Sequence, residues 1–110
     1  MAKEFLGDFE ELILTIVAAD HENAYGAAIN IEIEQWLGRK VTLSAVHVTL
    51  YRLEDKGFIK SKVGGATNER GGRRKRIYSI TSAGISILRT MKETRVELWK
   101  MVPQLKLNNS

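Results

Sequence analysis

The stretch from Glu69 to Thr81, Glu-Arg-Gly-Gly-Arg-Arg-Lys-Arg-Ile-Tyr-Ser-Ile-Thr, constrains this chain more than any other. Two adjacent glycines, Gly71 and Gly72, can take φ > 0 and turn the backbone tightly. Four consecutive cations follow (Arg73, Arg74, Lys75, Arg76), and then Ile77, Tyr78 and Ile80 set a strand pattern. Upstream, Phe58 to Val63 is a second strand candidate with Lys60 and Lys62 interleaved. Two strands around a glycine-containing basic loop predict a hairpin whose tip concentrates positive charge. Just before it, Ser44 to Lys56 reads as a helix stopped by Gly57. Helix followed by basic hairpin is the layout of a winged helix, which usually binds DNA.

The charge distribution points the same way. From Lys60 to Arg76 seven cations (Lys60, Lys62, Arg70, Arg73, Arg74, Lys75, Arg76) face Glu69 alone, a net +6. Residues 1–43 hold Lys3, Arg39 and Lys40 against eight acids, a net −5. The overall +4 therefore hides a strong dipole, with a phosphate-seeking tip on an acidic body. A merely solvated hairpin would favour mixed signs over a block.

With 110 residues the chain is one domain, and without cysteine it has neither disulfides nor thiolate chemistry. The longest apolar run, Leu12 to Ala19, is broken by Thr15 and falls far short of the ~20 residues of a membrane span. Met-Ala-Lys-Glu-Phe at the start lacks the layout of a signal peptide, so a cytoplasmic location is expected. No metal site or cofactor is expected. His21 and His47 fall on separate elements and no nucleophile or phosphate-loop spacing occurs, which argues against an enzyme.

In chain order, Asp8 and Glu11 have the spacing of a capping box, and Phe9, Leu12, Ile13, Ile16 and Val17 predict a helix from about Asp8 to Ala19. His21 is expected exposed in a polar link. Tyr25-Gly26 opens a second helix with Ile29, Ile33, Trp36 and Leu37 on its core face and Gly38 as its stop. Arg39 to Leu43 can form a short strand before Thr42 or Ser44 caps the third helix.

The third helix buries Val46, Leu50 and Leu53, and Phe58 and Ile59 re-enter the core behind it. Its opposite side presents Ser44, Ala45, Val48, Tyr51 and Arg52, with His47 at the margin. Small residues at the start let such a helix approach a groove, and His, Thr, Tyr and Arg can reach base edges or phosphates. Alone, a face of this composition is more often just solvated; the adjacent basic hairpin reverses that balance in favour of DNA.

Thr81 or Ser82 begins the last helix. From Gly84 the apolar steps run through Leu88, Met91, Arg95, Leu98 and Val102, a heptad seam with Arg95 as its polar exception and Val96 and Trp99 widening it. Packing on the first helix of the same chain is one use of that seam. A second copy is the favoured one, because three helices and a hairpin already fill a core. Pro103 disfavours a helical Val102, and Gln104 to Ser110 is expected to be a loose tail.

Assembled, these residues resemble the PadR family of winged-helix transcriptional regulators, in the short form with a single C-terminal helix. Tyr25-Gly26-Ala27-Ala28-Ile29 resembles the family's Tyr-Gly-x-x-Ile segment. Leu43 to Ile59 resembles its recognition helix, ending in an Arg-Leu-Glu-x-x-Gly-hydrophobic signature. Arg70 to Gly84 resembles its wing, returning strand and Leu-Thr-x-x-Gly helix start. The resemblance implies a mainly α fold with a small β-hairpin (α+β): a winged helix-turn-helix over residues 1–81, a dimerisation helix over 82–102 and a tail over 103–110.

It further implies a homodimeric repressor on an inverted-repeat operator in double-stranded DNA, released by a small molecule or stress signal. DNA would be met by Ser44, Ala45, His47, Val48, Tyr51 and Arg52 of the helix and by Arg70, Gly71, Gly72, Arg73, Arg74, Lys75 and Arg76 of the wing. The dimer would form through Leu88, Met91, Arg95, Leu98, Trp99 and Val102. Two departures stand out. His47 replaces the tyrosine usual in the family's recognition helix. Arg95 stands where short drug-binding members have tryptophan, and Trp99 lies one turn beyond; Trp99 is a candidate border of an effector pocket, while drug binding itself is not carried over. The alternative is a winged helix that binds protein or RNA without operator specificity.

Overall fold

The computed structural model describes residues 5–20, 23–64 and 75–103. In order, these form α1 (Asp8–Ala19), α2 (Gly26–Leu37), α3 (Leu43–Asp55), β1 (Ile59–Val63), β2 (Arg76–Ile80) and α4 (Ser82–Lys100). The three first helices pack on one another and the antiparallel β1–β2 hairpin closes one side. Ile59 pairs with Ile80, Ser61 with Tyr78 and Val63 with Arg76. One further bridge ties the hairpin to the helices, from the Tyr78 N–H to the Ala24 carbonyl at 2.7 Å. Helix, turn, helix and wing are thus those of a winged helix, as the sequence predicts.

The core draws on every element: Ile13, Leu14 and Val17 of α1, Ile29 and Ile33 of α2, Val46, Leu50 and Leu53 of α3, Phe58, Ile59 and Tyr78 of the hairpin, and Ile87 and Met91 of α4. Each large apolar side chain buried this way contributes on the order of 1.5–3 kcal/mol. Gly57, at φ 85°, makes the left-handed turn that separates α3 from β1. Among the described residues, no helix is long and apolar enough to cross a membrane.

Four expectations need correction. The α1 cap sits one residue earlier than Asp8: Gly7 is the N-cap, and its N–H donates to the Glu10 carboxylate at 3.1 Å. Glu11 is thereby released for an ion pair with Arg95 at 2.6 Å. Residues 39–43 form no strand, because α2 already satisfies Val41: its N–H donates to Glu34 at 2.8 Å and its carbonyl accepts from Asn30 at 2.9 Å. Of the two caps expected for α3, Thr42 is the one used, accepting from the Ala45 N–H at 3.1 Å, and so Leu43 is already helical.

Trp36 is not core. It is 74% exposed on the outer side of α2. The last turn of α2 runs past the end of the core, and Leu37 takes the inward position instead.

The heptad seam of α4 divides in two. Gly84 and Met91 are buried and Leu88 is half-buried within the chain, joined by Ile87, which the seam did not include. The outer half, Val96, Leu98, Trp99 and Val102, is exposed. The C-terminal helix is therefore core at its start and bare at its end. His21, the wing tip residues Arg70, Gly71, Gly72, Arg73 and Arg74, and the tail Gln104 to Ser110 lie outside the described residues.

Candidate nucleic-acid interface

The outward face of α3 carries Ser44, His47, Val48, Tyr51 and Arg52, all exposed, with Ala45 half-buried at its edge. Val46, Thr49, Leu50 and Leu53 anchor the inward face. The helix is thus fixed from behind while its other side stands free. Thr49 is the one buried polar side chain recorded among the described residues, so it faces the core and not a groove, contrary to the expectation for the threonine of this helix.

His47 is less free than its exposure suggests. Its imidazole lies across Gly26 at the start of α2, so closely that a Cβ at Gly26 would stand 2.6 Å from the ring's Cε1. Glycine at 26 is what lets α3 approach the α2 N-terminus. The first turn of α2 also directs unbonded backbone N–H groups and the positive end of its dipole to that corner.

The base of the wing meets the same corner. The Lys75 ammonium stands 4.2 Å from the centroid of the Tyr25 ring, and Tyr25 is the N-cap of α2. His47, Gly26, Tyr25 and Lys75 therefore join the outward helix, the turn and the wing in one run of contacts. Tyr25 and Gly26 read in the sequence as a helix start. Their second role, as the joint between α3 and the hairpin, is not marked in the sequence.

Arg76 is committed elsewhere. Its guanidinium donates to Ser61 Oγ at 3.0 Å, and the Ser61 hydroxyl donates to Glu54 at 2.7 Å. Successive side chains on a strand alternate, so Lys75 and Arg76 brace opposite faces of the hairpin. Tyr78 lies between: burial pushes its phenol above the ordinary tyrosine value, partly offset by Arg76 and reinforced by Glu54. Lys60 and Lys62 on β1 are exposed and extend the positive surface along the wing.

On α4, Arg95 pairs with Glu11 at 2.6 Å and more loosely with Asp8 at 3.8 Å, tying the helix to α1 of its own chain. Beyond it Leu98 is 58% and Trp99 67% exposed. No group of three or more His, Asp or Glu able to hold a metal occurs among the described residues.

Residues 13–90 match the model of the transcriptional regulator PadR-like family. The chain belongs to the PadR family. Its winged-helix, DNA-binding fold is shared with solved PadR structures. A PadR family transcription regulator from Clostridium difficile is 28% identical, with a TM-score of 0.64 over 86% of this chain and 94% of that one. A PadR-like regulator from Bacillus cereus, 19% identical, has a TM-score of 0.68 over 84% of this chain and 85% of that one, and speaks for the fold alone. RosR of H. salinarum does likewise, at 24% identity and a TM-score of 0.63 over 84% of this chain and 76% of that one. No curated protein matches the chain. Within the PadR frame the β1–β2 hairpin is the wing of the winged helix.

Proposed function

We propose that this PadR-like regulator acts in the cytoplasm as a homodimer that binds an inverted-repeat operator and represses transcription. The observation that carries the reading is the joint at Tyr25 and Gly26, which brings the free face of α3 and the cationic wing base to one side of the domain. A helix face of Ser, His, Tyr and Arg suits base edges, and a cationic hairpin suits the flanking phosphates. The bare outer half of α4 suits a second copy, since Leu98, Trp99 and Val102 are apolar and exposed on one helix end. Two recognition helices related by a two-fold axis then read two half-sites about one helical turn apart. Trp99, at the edge of that seam, is the place for a planar aromatic effector that releases the DNA.

The deciding experiment is selection of duplexes from a random pool by the purified protein, followed by titration of the winner against a scrambled duplex DNA and a matched duplex RNA. A palindromic winner bound at least a thousandfold more tightly than scrambled DNA is the expected result. Equal affinity for DNA and RNA, with no sequence enriched, would instead mark a winged helix that binds nucleic acid without an operator.

A further inference from the structure

We propose that Tyr25 is a positioning residue for DNA binding, which fixes the angle of the wing by holding Lys75 on its ring. The inference rests on the DNA-binding reading above and adds a residue to it that makes its contribution through another side chain.

Besides the buried Ile59 and Tyr78 and the Ser61–Glu54 bond from β1 to α3, the hairpin is tied to the helices by two links along the β2 side. The first is the backbone bridge from the Tyr78 N–H to the Ala24 carbonyl, 2.7 Å. The bridge and the Ser61–Glu54 bond lie on the same rung, Ser61 opposite Tyr78, and so fix one level of the hairpin. The second link is Lys75 on Tyr25, three residues back along the same strand and 4.2 Å from the ring centroid. Two separated points set a direction.

Both ends of that second link are themselves held. Tyr25 is extended, at φ −127° and ψ 160°, and its carbonyl accepts the Ile29 N–H at 2.9 Å to begin α2. The Lys75 carbonyl accepts the Gly64 N–H at 2.6 Å, so Lys75 belongs to the outermost hydrogen-bonded rung of the hairpin among the described residues. The aromatic ring attracts the ammonium through its quadrupole and leaves it fully charged with donors to spare. Lys75 can therefore brace the wing and face a phosphate at once. On the other face Arg76 bonds Ser61, and Ser61 bonds Glu54 of α3, so that side of the hairpin is tied to the helices as well.

The test compares Tyr25→Phe, Tyr25→Leu, Lys75→Ala and the Leu–Ala double variant, each checked for unchanged thermal melting. The probes are the duplex selected by the wild-type protein and a scrambled duplex of equal length. Tyr25→Phe keeps the ring and is expected to bind as wild type. Tyr25→Leu is expected to weaken both duplexes by the same factor, about two- to fivefold per protomer. It should also make the dependence of log K on log salt shallower, which a loss of stability alone does not do. The double variant is expected to bind no worse than Lys75→Ala. In the DNA-free protein, the Lys75 ε-methylene protons should be shifted upfield by the ring in wild type and Tyr25→Phe and return to an ordinary lysine position in Tyr25→Leu.

Three results would overturn the assignment. They are strictly additive effects of the two substitutions, equal loss in Tyr25→Phe and Tyr25→Leu (a direct hydroxyl contact), or an unshifted Lys75 signal in wild type. Failure of the wild-type protein to bind any duplex strikes at the DNA-binding reading instead, and is recognised before any variant is compared.

Discussion

The Thr81 hydroxyl donates to the Gly57 carbonyl at 2.7 Å while accepting the Gly84 N–H at 3.1 Å. One side chain thus caps α4 and ties its start to the turn that ends α3. The Thr81 N–H adds a third tie, to the Phe58 carbonyl at 3.0 Å. Thr81→Val keeps the shape and loses both hydroxyl bonds, leaving the Gly57 carbonyl and Gly84 N–H to find water. A loss of about 1–2 kcal/mol is expected in urea unfolding, with Thr81→Ser close to wild type.

Gly84→Ala should be more severe. A Cβ there would run into the Phe58 carbonyl oxygen and meet Ile80 Cγ1 at 2.6 Å. The obstacle is backbone, which cannot rotate aside, so overpacking of roughly 1–3 kcal/mol is expected from the fall in denaturation midpoint.

Gly26→Ala is expected to behave differently, although its Cβ would be equally crowded. There the obstacle is the His47 ring, the far end of a side chain that can swing away. Folding should survive with little loss, while the ring leaves its place on α3. Discrimination between operator and scrambled duplex is expected to shrink by roughly 1–3 kcal/mol if His47 meets a base edge, read by anisotropy titration.

The two halves of α4 should fail in two ways. Met91 is fully buried, so Met91→Ala leaves a cavity and is expected to cost about 2–5 kcal/mol of folding stability. Leu98 is 58% exposed in the single chain, so Leu98→Asp should leave the thermal midpoint of the monomer nearly unchanged. In a dimer closed by this face, the same carboxylate is buried without a partner and sedimentation should show monomer.

Glu32 gives a pH signature. A hydrogen bond with Asp20 raises its carboxyl above the ordinary glutamate value, burial and the Asp20 charge add to this, and the Trp36 indole opposes it. A raised carboxyl means that the folded state binds the proton more tightly than the unfolded chain. The stabilising contribution is therefore present below the unfolded value of about 4.3 and is lost as pH rises through the higher folded value. Glu32→Gln should melt higher than wild type at pH 7, with the advantage gone by about pH 4. A constant advantage across that range would mean that the pair does not titrate as described.

Much of this fold was legible because three signals agreed at each boundary. α1 and α3 were found within a residue by apolar spacing, α2 and α3 ended at Gly38 and Gly57, and the β-formers flanking the glycine–cation block gave the hairpin. The failures share one cause, which is that a linear pattern does not say where the core stops. Trp36 has helical spacing from Ile33 yet lies past the core's edge, and Val41 has the look of a strand residue yet is satisfied by Asn30 and Glu34 side chains. The α4 seam was visible, but its division between Met91 and Leu98 depends on how far α1 reaches, and Arg95 marks that limit by pairing with Glu11. The α3 face was readable from its polar residues. The joint at Tyr25 was not, because Lys75 comes to it from fifty residues away in sequence.

The division of α4 has a mechanical meaning. Its first turns are clamped to the hairpin through Thr81 and Gly84, while its 19 residues give a rigid rod of roughly 28 Å. Were two such rods joined at their bare ends, each would act as a lever with its fulcrum at the joint and its own wing at the far end. A pivot of about ten degrees at the joined ends would carry each DNA-reading domain through roughly 5 Å over that length, well beyond the reach of a hydrogen bond. A ligand wedged beside Trp99 could then lift both domains from their half-sites without touching a single residue that meets DNA.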